Sequence, residues 1–122
     1  MSETIYSQVA GRSDIVLDQA SDFNEVYQLC TNDAGTTFFD LSGYTPTAEI
    51  RNVKNGSLIA TFTCSVVSAA EGKIQVRLTR AQTAALDFSG MYYWDCLISI
   101  GTTTYRVIEG SAQLSKSVTV PA

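Results

Sequence analysis

The residue types that most often carry out catalysis are scarce in this chain of 122 residues, which contains no histidine. Without histidine, Ser-His-Asp and Cys-His nucleophile systems and nearly all zinc sites are excluded. Pairs of carboxylates can still hydrolyse glycosides. The pairs closest in sequence are Asp14 with Asp18, Asp22 with Glu25, and Asp87 with Asp95. Each pair falls at a predicted strand edge or turn, where solvated carboxylates are usual, so we predict that the protein is not an enzyme.

One group of polar residues has the composition of a calcium-binding loop, namely Asn32 and Asp33 with Asp40 nearby. A calcium ion needs several oxygen ligands that converge from loops. Asn and Asp are also common in turns, because their side chains hydrogen-bond to their own backbone. Turn formation accounts for these residues, and we expect neither a metal ion nor another cofactor.

The three cysteines, Cys30, Cys64 and Cys96, are odd in number and widely spaced. Each lies within an apolar alternating run, where a free cysteine behaves as a small hydrophobic residue. This placement favours three buried free thiols. A disulfide between two of them and a reactive thiol are the alternatives.

Charged residues make up only 16% of the chain, against about 25% in a typical globular protein. The net charge is −4 and no basic patch is evident, which disfavours nucleic-acid binding. The N-terminal residues MSETIYSQVAGR lack the positive and apolar regions of a signal peptide, and no apolar run approaches the ~20 residues that cross a bilayer. We therefore expect a soluble protein made in a cytosol, with no membrane partner.

The most sharply patterned segment is 87–100, which reads DFSGMYYWDCLISI. Its residues alternate with a period of two and are rich in aromatic and β-branched types, which predicts a strand with one buried face. The residues of the predicted core face are Tyr92, Trp94, Cys96 and Ile98. Tyr92 and Trp94 would otherwise form a stacking platform for a sugar or a base, but the alternation favours the core.

Neighbouring segments add core and surface predictions. Alternation in 58–67 and 73–78 predicts further core residues, which are Phe62, Cys64, Ile74, Val76 and Leu78. An exposed apolar patch marks an interface, and the candidates are Met91, Tyr93, Leu97 and Tyr44. Glu49 and Arg51 share a strand face and are expected to pair across it with Arg77.

Eight or nine short strands at a spacing of roughly ten residues, with almost no helix, predict an all-β antiparallel sandwich. A small closed barrel is the alternative. The predicted strands are 13–18, 23–31, 36–41, 47–53, 58–67, 73–78, one within 87–100, 104–109 and 112–120. We expect one domain over 13–122, preceded by a flexible N-terminal arm over 1–12, with 13–18 as an edge strand.

Three local signals add detail to this outline. Thr79 with Gln82 matches a capping box, which predicts a short helical turn near 79–86. Asn55-Gly56 between two β-patterned runs predicts a tight hairpin with positive φ at both residues. Gly110 interrupts the last strands and predicts a bulge.

The segment DFSGMYYW resembles the D-x-G-x-Y-x-C turn and strand of immunoglobulin-like domains, through Asp87, Gly90, Tyr92 and Trp94. One residue is inserted between the Asp and the Gly, and Trp94 stands at the position of the Cys. The resemblance implies an immunoglobulin-like sandwich without the usual inter-sheet disulfide.

A second resemblance covers about 39–120. The segments DLSGYTPTAEIR (40–51), LTRAQTAALDFSGMYYWD (78–95) and YRVIEGSAQLSKSVTV (105–120) resemble small β-sandwich proteins of tailed bacteriophage virions, including those of cyanobacterial phages. The resemblance implies a structural role rather than an enzymatic one.

On this resemblance we expect a virion protein that binds other phage proteins of the capsid or tail and forms a homo-oligomer. Two placements remain open, an accessory protein of the tail, baseplate or fibre attachment, and a capsid cement (decoration) protein. The alternative is a carbohydrate-binding or host-surface-binding module. Its candidate aromatic residues are Tyr44, Phe38 and Tyr105.

Overall fold

The computed structural model describes the backbone of residues 2–6, 11–31 and 37–118, and the side chains of 11–31 and 37–118. Ten strands and one short helix make up this part of the chain. They are β1 (Ser2–Tyr6), β2 (Gly11–Arg12), β3 (Ile15–Asp18), β4 (Phe23–Cys30), β5 (Thr45–Arg51), β6 (Leu58–Thr61), β7 (Thr63–Ser68), β8 (Lys73–Leu78), α1 (Arg80–Ala84), β9 (Met91–Ile100) and β10 (Thr103–Ser115).

Two sheets pack face to face, which confirms the predicted all-β sandwich. The four-stranded sheet has the order β1-β4-β8-β7, and the six-stranded sheet has the order β2-β10-β9-β5-β6, with β3 also pairing with β10. Most pairs are antiparallel, whereas β1 pairs with β4, and β2 and β3 pair with β10, in parallel.

Period-two alternation determines which side chains form the core between the sheets. In β9, Trp94, Cys96 and Ile98 are buried while their neighbours are half-buried or exposed. From the opposite sheet, Tyr27 and Leu29 of β4 are fully buried against them. The same period appears in β8, whose apolar residues face inward.

A buried polar contact joins the N-terminal segment to both sheets. The indole Nε1–H of Trp94 donates to the carbonyl oxygen of Ser13 at 2.8 Å. The Ser13 hydroxyl in turn lies 3.0 Å from the Tyr27 hydroxyl. The Tyr27 and Trp94 rings, 5.8 Å apart, connect β4 and β9 across the core.

The predicted single strand 58–67 is divided between the two sheets. The chain leaves the six-stranded sheet after β6 and enters the four-stranded sheet as β7. Phe62 lies at the crossing, where its side chain is buried and its N–H donates to the Ala48 carbonyl at 2.9 Å. The sequence alternates through this point without a break, so the change of sheet leaves no local signal.

The predicted hairpin joins β5 to β6, but its turn is longer than two residues. Asn55 has a φ of 60°, and it is the only one of the two central residues with positive φ. The Asn52 side chain accepts hydrogen bonds from the N–H groups of Val53 and Ser57 at 2.8 and 2.9 Å. This side chain closes a wider loop than the predicted tight turn.

The capping box is confirmed. The Thr79 hydroxyl accepts from the Gln82 N–H at 3.2 Å, and the Gln82 side chain accepts from the Thr79 N–H at 2.8 Å. Thr83, fully buried, donates to the Ser21 carbonyl at 2.7 Å and so holds the helix against the turn before β4.

The bulge expected at Gly110 occurs instead at Val107, between Arg106 and Ile108. The two strands predicted at 104–109 and 112–120 are one continuous strand, β10, as far as Ser115. Gly110 pairs in register with Trp94, and a Cβ at this position would overlap the Ser13 carbonyl oxygen. Gly110 is therefore required by the close approach of the N-terminal backbone, not by a bulge.

The segment predicted as a flexible arm differs from this expectation where it is described. Ser2–Tyr6 pairs with β4, and Gly11–Arg12 pairs with β10. Residues 1 and 7–10 of the arm lie outside the described residues. These short parallel pairings join the N-terminal segment to strands that come later in the chain. The residue pattern of the segment itself therefore does not indicate them. The predicted edge strand is present as β3.

Candidate interaction face

One carboxylate in each of two pairs considered for catalysis has a structural partner. Asp14 accepts from the Ser111 N–H at 2.9 Å and pairs with Arg12 at 3.0 Å, and the bond from Ser111 is the main cause of the lowered pKa of Asp14. Asp22 accepts from the Arg80 N–H at 2.7 Å, at the start of α1.

Two further candidate carboxylates, Asp87 and Asp40, also have local partners. Asp87 pairs with Lys116 at 2.9 Å. Asp40 accepts from the N–H and hydroxyl of Ser42 at 2.9 and 2.7 Å, which lowers its pKa. Asn32 and Asp33 lie outside the described residues. Within the described part of the chain, no three Cys, Asp or Glu side chains converge in a way that could hold a metal ion.

The predicted core residues occupy the space between the sheets to different degrees. Seven are buried, which are Phe62, Ile74, Val76, Leu78, Trp94, Cys96 and Ile98. Cys64 and Tyr92 are half-buried at the edge of the same cluster. The Tyr92 ring stacks on Phe88 with centroids 4.2 Å apart, an arrangement that closes the end of the sandwich.

Three of the four predicted interface residues lie together. Met91 (52% exposed), Tyr93 (36% exposed) and the half-buried Leu97 are on the outer face of the six-stranded sheet. Tyr44 lies elsewhere, at the end of the sandwich, beside Phe39.

A groove of about 400 Å³ runs across the outer face of the six-stranded sheet. We call it the sheet groove. Its charged lining residues are Arg12, Glu49, Arg51, Lys54, Asp95, Arg106 and Glu109, and Tyr93 and Leu97 lie among them. Residues from β2, β5, β9 and β10 and from the loop after β5 line it. A second concave region, of about 240 Å³, lies beside Phe23, Arg77 and Thr79.

Three carboxylates form a row across the centre of the sheet groove. Asp95 pairs in register with Glu49 on one side and with Glu109 on the other. Like charges directly opposite one another destabilise a sheet. Burial is the main cause of the raised pKa of Asp95, and the charges of Glu49 and Glu109 raise it further. Arg106 and Arg51 act in the opposite direction and lower it.

Cations surround this acidic row. Arg51 donates to Glu49 at 2.8 Å and to the Gly56 carbonyl at 2.8 Å. Lys54 reaches Glu109 at 3.8 Å. Arg106 is exposed and makes no ion pair with any described side chain. Exposed pairs of this kind contribute only about 0–1 kcal/mol, so little free energy opposes their exchange for contacts with a partner.

The sheet groove concentrates the positive charge of an acidic protein. Four of the eight Lys and Arg side chains and three of the twelve Asp and Glu side chains line it. The rest of the chain then carries four cations and nine acids. The groove therefore differs in charge from the remaining surface, as expected of a surface that selects a partner by its charge.

The bulge at Val107 brings two of these charged residues onto one face. Arg106 and Glu109 are three positions apart, and in a regular strand they would point to opposite faces. Because the bulge adds one residue, Arg106 pairs with Leu97 and Glu109 pairs with Asp95, both on the outer face. The sequence prediction of a bulge at Gly110 missed this placement.

The pairing predicted between Glu49, Arg51 and Arg77 is also changed. Glu49 and Arg51 pair with each other. Arg77 belongs to β8 in the other sheet, where its side chain is exposed. Sequence patterning missed Arg12, Arg106 and Glu109 as groove residues because their meeting depends on strand register.

A cluster of aromatic residues, of which Tyr105 is exposed, lies at one end of the sandwich. The Tyr44 ring is 5.4 Å from Phe39 and 6.5 Å from Tyr105, which is 46% exposed. Of the three predicted sugar-binding aromatics, the structure brings Tyr44 and Tyr105 together. Phe38 bridges to Cys30 in a separate backbone contact.

We expect the Asp95→Asn variant to be more stable than the unmodified protein at neutral pH. Because the pKa of Asp95 is raised, the folded state binds a proton more tightly than the unfolded chain does. The stability that Asp95 contributes therefore falls as the pH rises above 3.8, which is the ordinary pKa of this carboxyl. Asparagine carries no charge and avoids this loss. Urea unfolding at neutral pH and below pH 3.8 measures the difference, which should shrink on acidification.

The matched control is Asp14→Asn. The pKa of Asp14 is lowered, so its stabilisation is present above the ordinary pKa and is lost as pH falls. This variant should be destabilised at neutral pH. Equal effects of the two substitutions at neutral pH would contradict the electrostatic description of the sheet groove.

Comparison with known proteins found no matching family model and no matching curated protein. Among the described residues, no helix has the length and apolar character needed to span a bilayer.

Proposed function

We propose that the protein is a non-enzymatic structural component of a tailed-phage virion and that it binds neighbouring virion proteins through the sheet groove. The observation that carries the proposal is the charge-segregated groove, in which exposed Tyr93 and half-buried Leu97 lie beside cations on an open sheet face. Interfaces are enriched in Tyr and Arg, with charged groups that select the partner.

The virion assignment rests on the resemblance of 40–51, 78–95 and 105–120 to small β-sandwich proteins of phage particles. These segments contain β5, the first half of β9 and most of β10, which are the three central strands of the six-stranded sheet. The segments that carry the resemblance are thus those that build the groove. The protein is made in the host cytoplasm and functions in the virion.

Two placements fit this proposal. In the first, the protein is an accessory component of the tail, baseplate or fibre attachment; in the second, it is a capsid cement protein that joins shell subunits. Both use contacts between protein surfaces and need no cofactor. Symmetric assemblies of identical chains are the usual arrangement, so we propose a homo-oligomer in either place.

Reversing one groove charge should reduce incorporation into particles. Arg106→Glu places a fourth carboxylate beside Asp95, which repels an acidic partner surface and removes the cation that steers it. We expect particle-bound protein to fall by at least about tenfold, which corresponds to ~1.4 kcal/mol. The measurement is the amount of protein that sediments with phage particles assembled in its presence.

Arg77→Glu is the matched control, because Arg77 is an exposed arginine on the four-stranded sheet. It makes the same change in net charge and should leave incorporation unchanged. Equal incorporation of both variants would overturn the role of the groove, and absence of this fold from cryo-EM density of the whole particle would overturn the virion assignment.

A carbohydrate-binding or host-surface-binding module is the second candidate, and the aromatic cluster at the end of the sandwich favours it. The rings of Tyr105 and half-buried Tyr44 are neighbours, and Tyr105 is 46% exposed. Such rings can stack on the apolar face of a sugar.

A glycan array tests this candidate. Under the carbohydrate hypothesis Tyr105→Ala abolishes binding to the glycans recognised by the unmodified protein, whereas Tyr93→Ala in the sheet groove leaves it intact. No glycan bound by the unmodified protein, or equal loss in both variants, would contradict carbohydrate binding at this cluster.

A further inference from the structure

Two cysteines from opposite sheets meet inside the sandwich. Cys64 belongs to β7 of the four-stranded sheet and Cys96 to β9 of the six-stranded sheet. Cys96 is fully buried, and Cys64 is half-buried against the same core cluster. Both thiols are free, and each shifts the pKa of the other.

The backbone brings the two strands close at this point. The chain crosses between the sheets at Phe62, whose N–H donates to the Ala48 carbonyl at 2.9 Å. Ala48 is the register partner of Cys96, and Cys64 follows Phe62 by two residues on the same strand face. The approach of the thiols thus follows from the crossing itself.

We propose that Cys64 and Cys96 form an intramolecular inter-sheet disulfide when the folded protein meets a small-molecule disulfide such as oxidised glutathione. The proposal rests on the geometry of the core and is independent of the proposed function. The bond would join the strands after folding, because the two thiols are brought together only by the completed sandwich.

The exchange proceeds in two balanced steps. The Cys64 thiolate attacks one sulfur of oxidised glutathione, which forms a mixed disulfide and releases one glutathione thiolate. The Cys96 sulfur then attacks the Cys64 sulfur, which forms the protein disulfide and releases the second glutathione. The protein loses two protons and two electrons, and two glutathione thiols carry them away.

Cys64 is the cysteine suited to the first attack. It is partly accessible, and the hydrogen bond from the Cys96 thiol lowers its pKa, whereas that bond and burial raise the pKa of Cys96. Once Cys64 is bonded to glutathione, its sulfur is uncharged. A negative charge on Cys64 then no longer opposes the ionisation of Cys96. The order of the two steps follows from this asymmetry.

Cys30 provides the internal control. It follows Leu29 on β4, and Leu29 points into the core. Alternation turns Cys30 to the opposite face of the strand, away from the other two thiols, and it is fully buried there. The Cys30→Ala variant keeps the Cys64–Cys96 contact, while Cys64→Ala removes it.

The test is incubation of the native, reduced protein with oxidised glutathione, followed by non-reducing mass spectrometry with peptide mapping. Unmodified protein and Cys30→Ala should both lose two hydrogen atoms and yield a 64–96 cross-linked peptide. The closed loop of about 30 residues should also raise Tm by about 10 °C. Cys64→Ala and Cys96→Ala should show neither change.

Three results would overturn the proposal. The first is a glutathione adduct that stays on Cys64 without release, and the second is a cross-linked peptide that contains Cys30. The third is disulfide-linked dimers as the main product. Circular dichroism of each variant before oxidation verifies that it is folded.

Discussion

Replacing Trp94 with alanine is expected to lower the free energy of unfolding by about 3–5 kcal/mol. The side chain is 3% exposed, and its ring lies 5.8 Å from Tyr27 and 5.6 Å from Phe62. The substitution leaves a cavity between the sheets and also removes the indole donor to the buried Ser13 carbonyl. Urea unfolding measures the change. Circular dichroism is the signal to follow, because Trp94 is the only tryptophan and its removal abolishes tryptophan fluorescence.

Two further variants separate the contributions. Trp94→Phe retains most of the ring and should cost about 1–3 kcal/mol, chiefly for the lost hydrogen bond to a buried acceptor. Tyr93→Ala, on the exposed side of the same strand, should change stability by about 0.5 kcal/mol or less. A loss below about 1 kcal/mol for Trp94→Ala would mean that the core and outer faces of β9 are interchanged.

The Gly110→Ala variant should lose about 3 kcal/mol of stability, although the substitution adds a single methyl group. That methyl would overlap the Ser13 carbonyl oxygen and lie 2.6 Å from the Ser13 carbonyl carbon. To relieve the overlap, the N-terminal segment must move away from β10. This movement breaks the hydrogen bond from the Ser13 N–H to the Glu109 carbonyl, now 2.9 Å.

Gly101→Ala is the control for this prediction. Gly101 has a φ of +56° and open space around it, so its substitution should cost only about 1–2 kcal/mol for left-handed backbone. Gly110, in contrast, needs no positive φ. A smaller loss for Gly110→Ala than for Gly101→Ala, in thermal or urea unfolding, would contradict the close approach at Ser13.

Local patterns were sufficient to predict the class of fold and most of the core. Alternation in β9 and β8 separates inward from outward side chains because successive residues in a strand point to opposite faces. The capping box at Thr79 and Gln82 predicts α1 because its hydrogen bonds join residues three apart. Each of these features depends on neighbours in sequence, so one segment suffices to show it.

Other features escaped prediction because they depend on contacts between distant segments. The change of sheet at Phe62 lies within a run of regularly alternating apolar and polar residues. The bulge at Val107 lies within a strand that has no local sign of an extra residue. Gly110 was interpreted as a bulge because a glycine in a strand has two common explanations, a bulge or a close backbone approach. Only the position of Ser13 decides between them.

The sequence by itself determined that this protein is an all-β sandwich with Trp94 in its core and with Tyr93 and Leu97 outside, since strand periodicity is a local property. The tertiary structure alone decided that Glu49, Asp95 and Glu109 form one row among cations, and that Cys64 meets Cys96. The physical reason is register. A shift of one residue turns a side chain to the other face, and register is set by pairing between strands far apart in the chain.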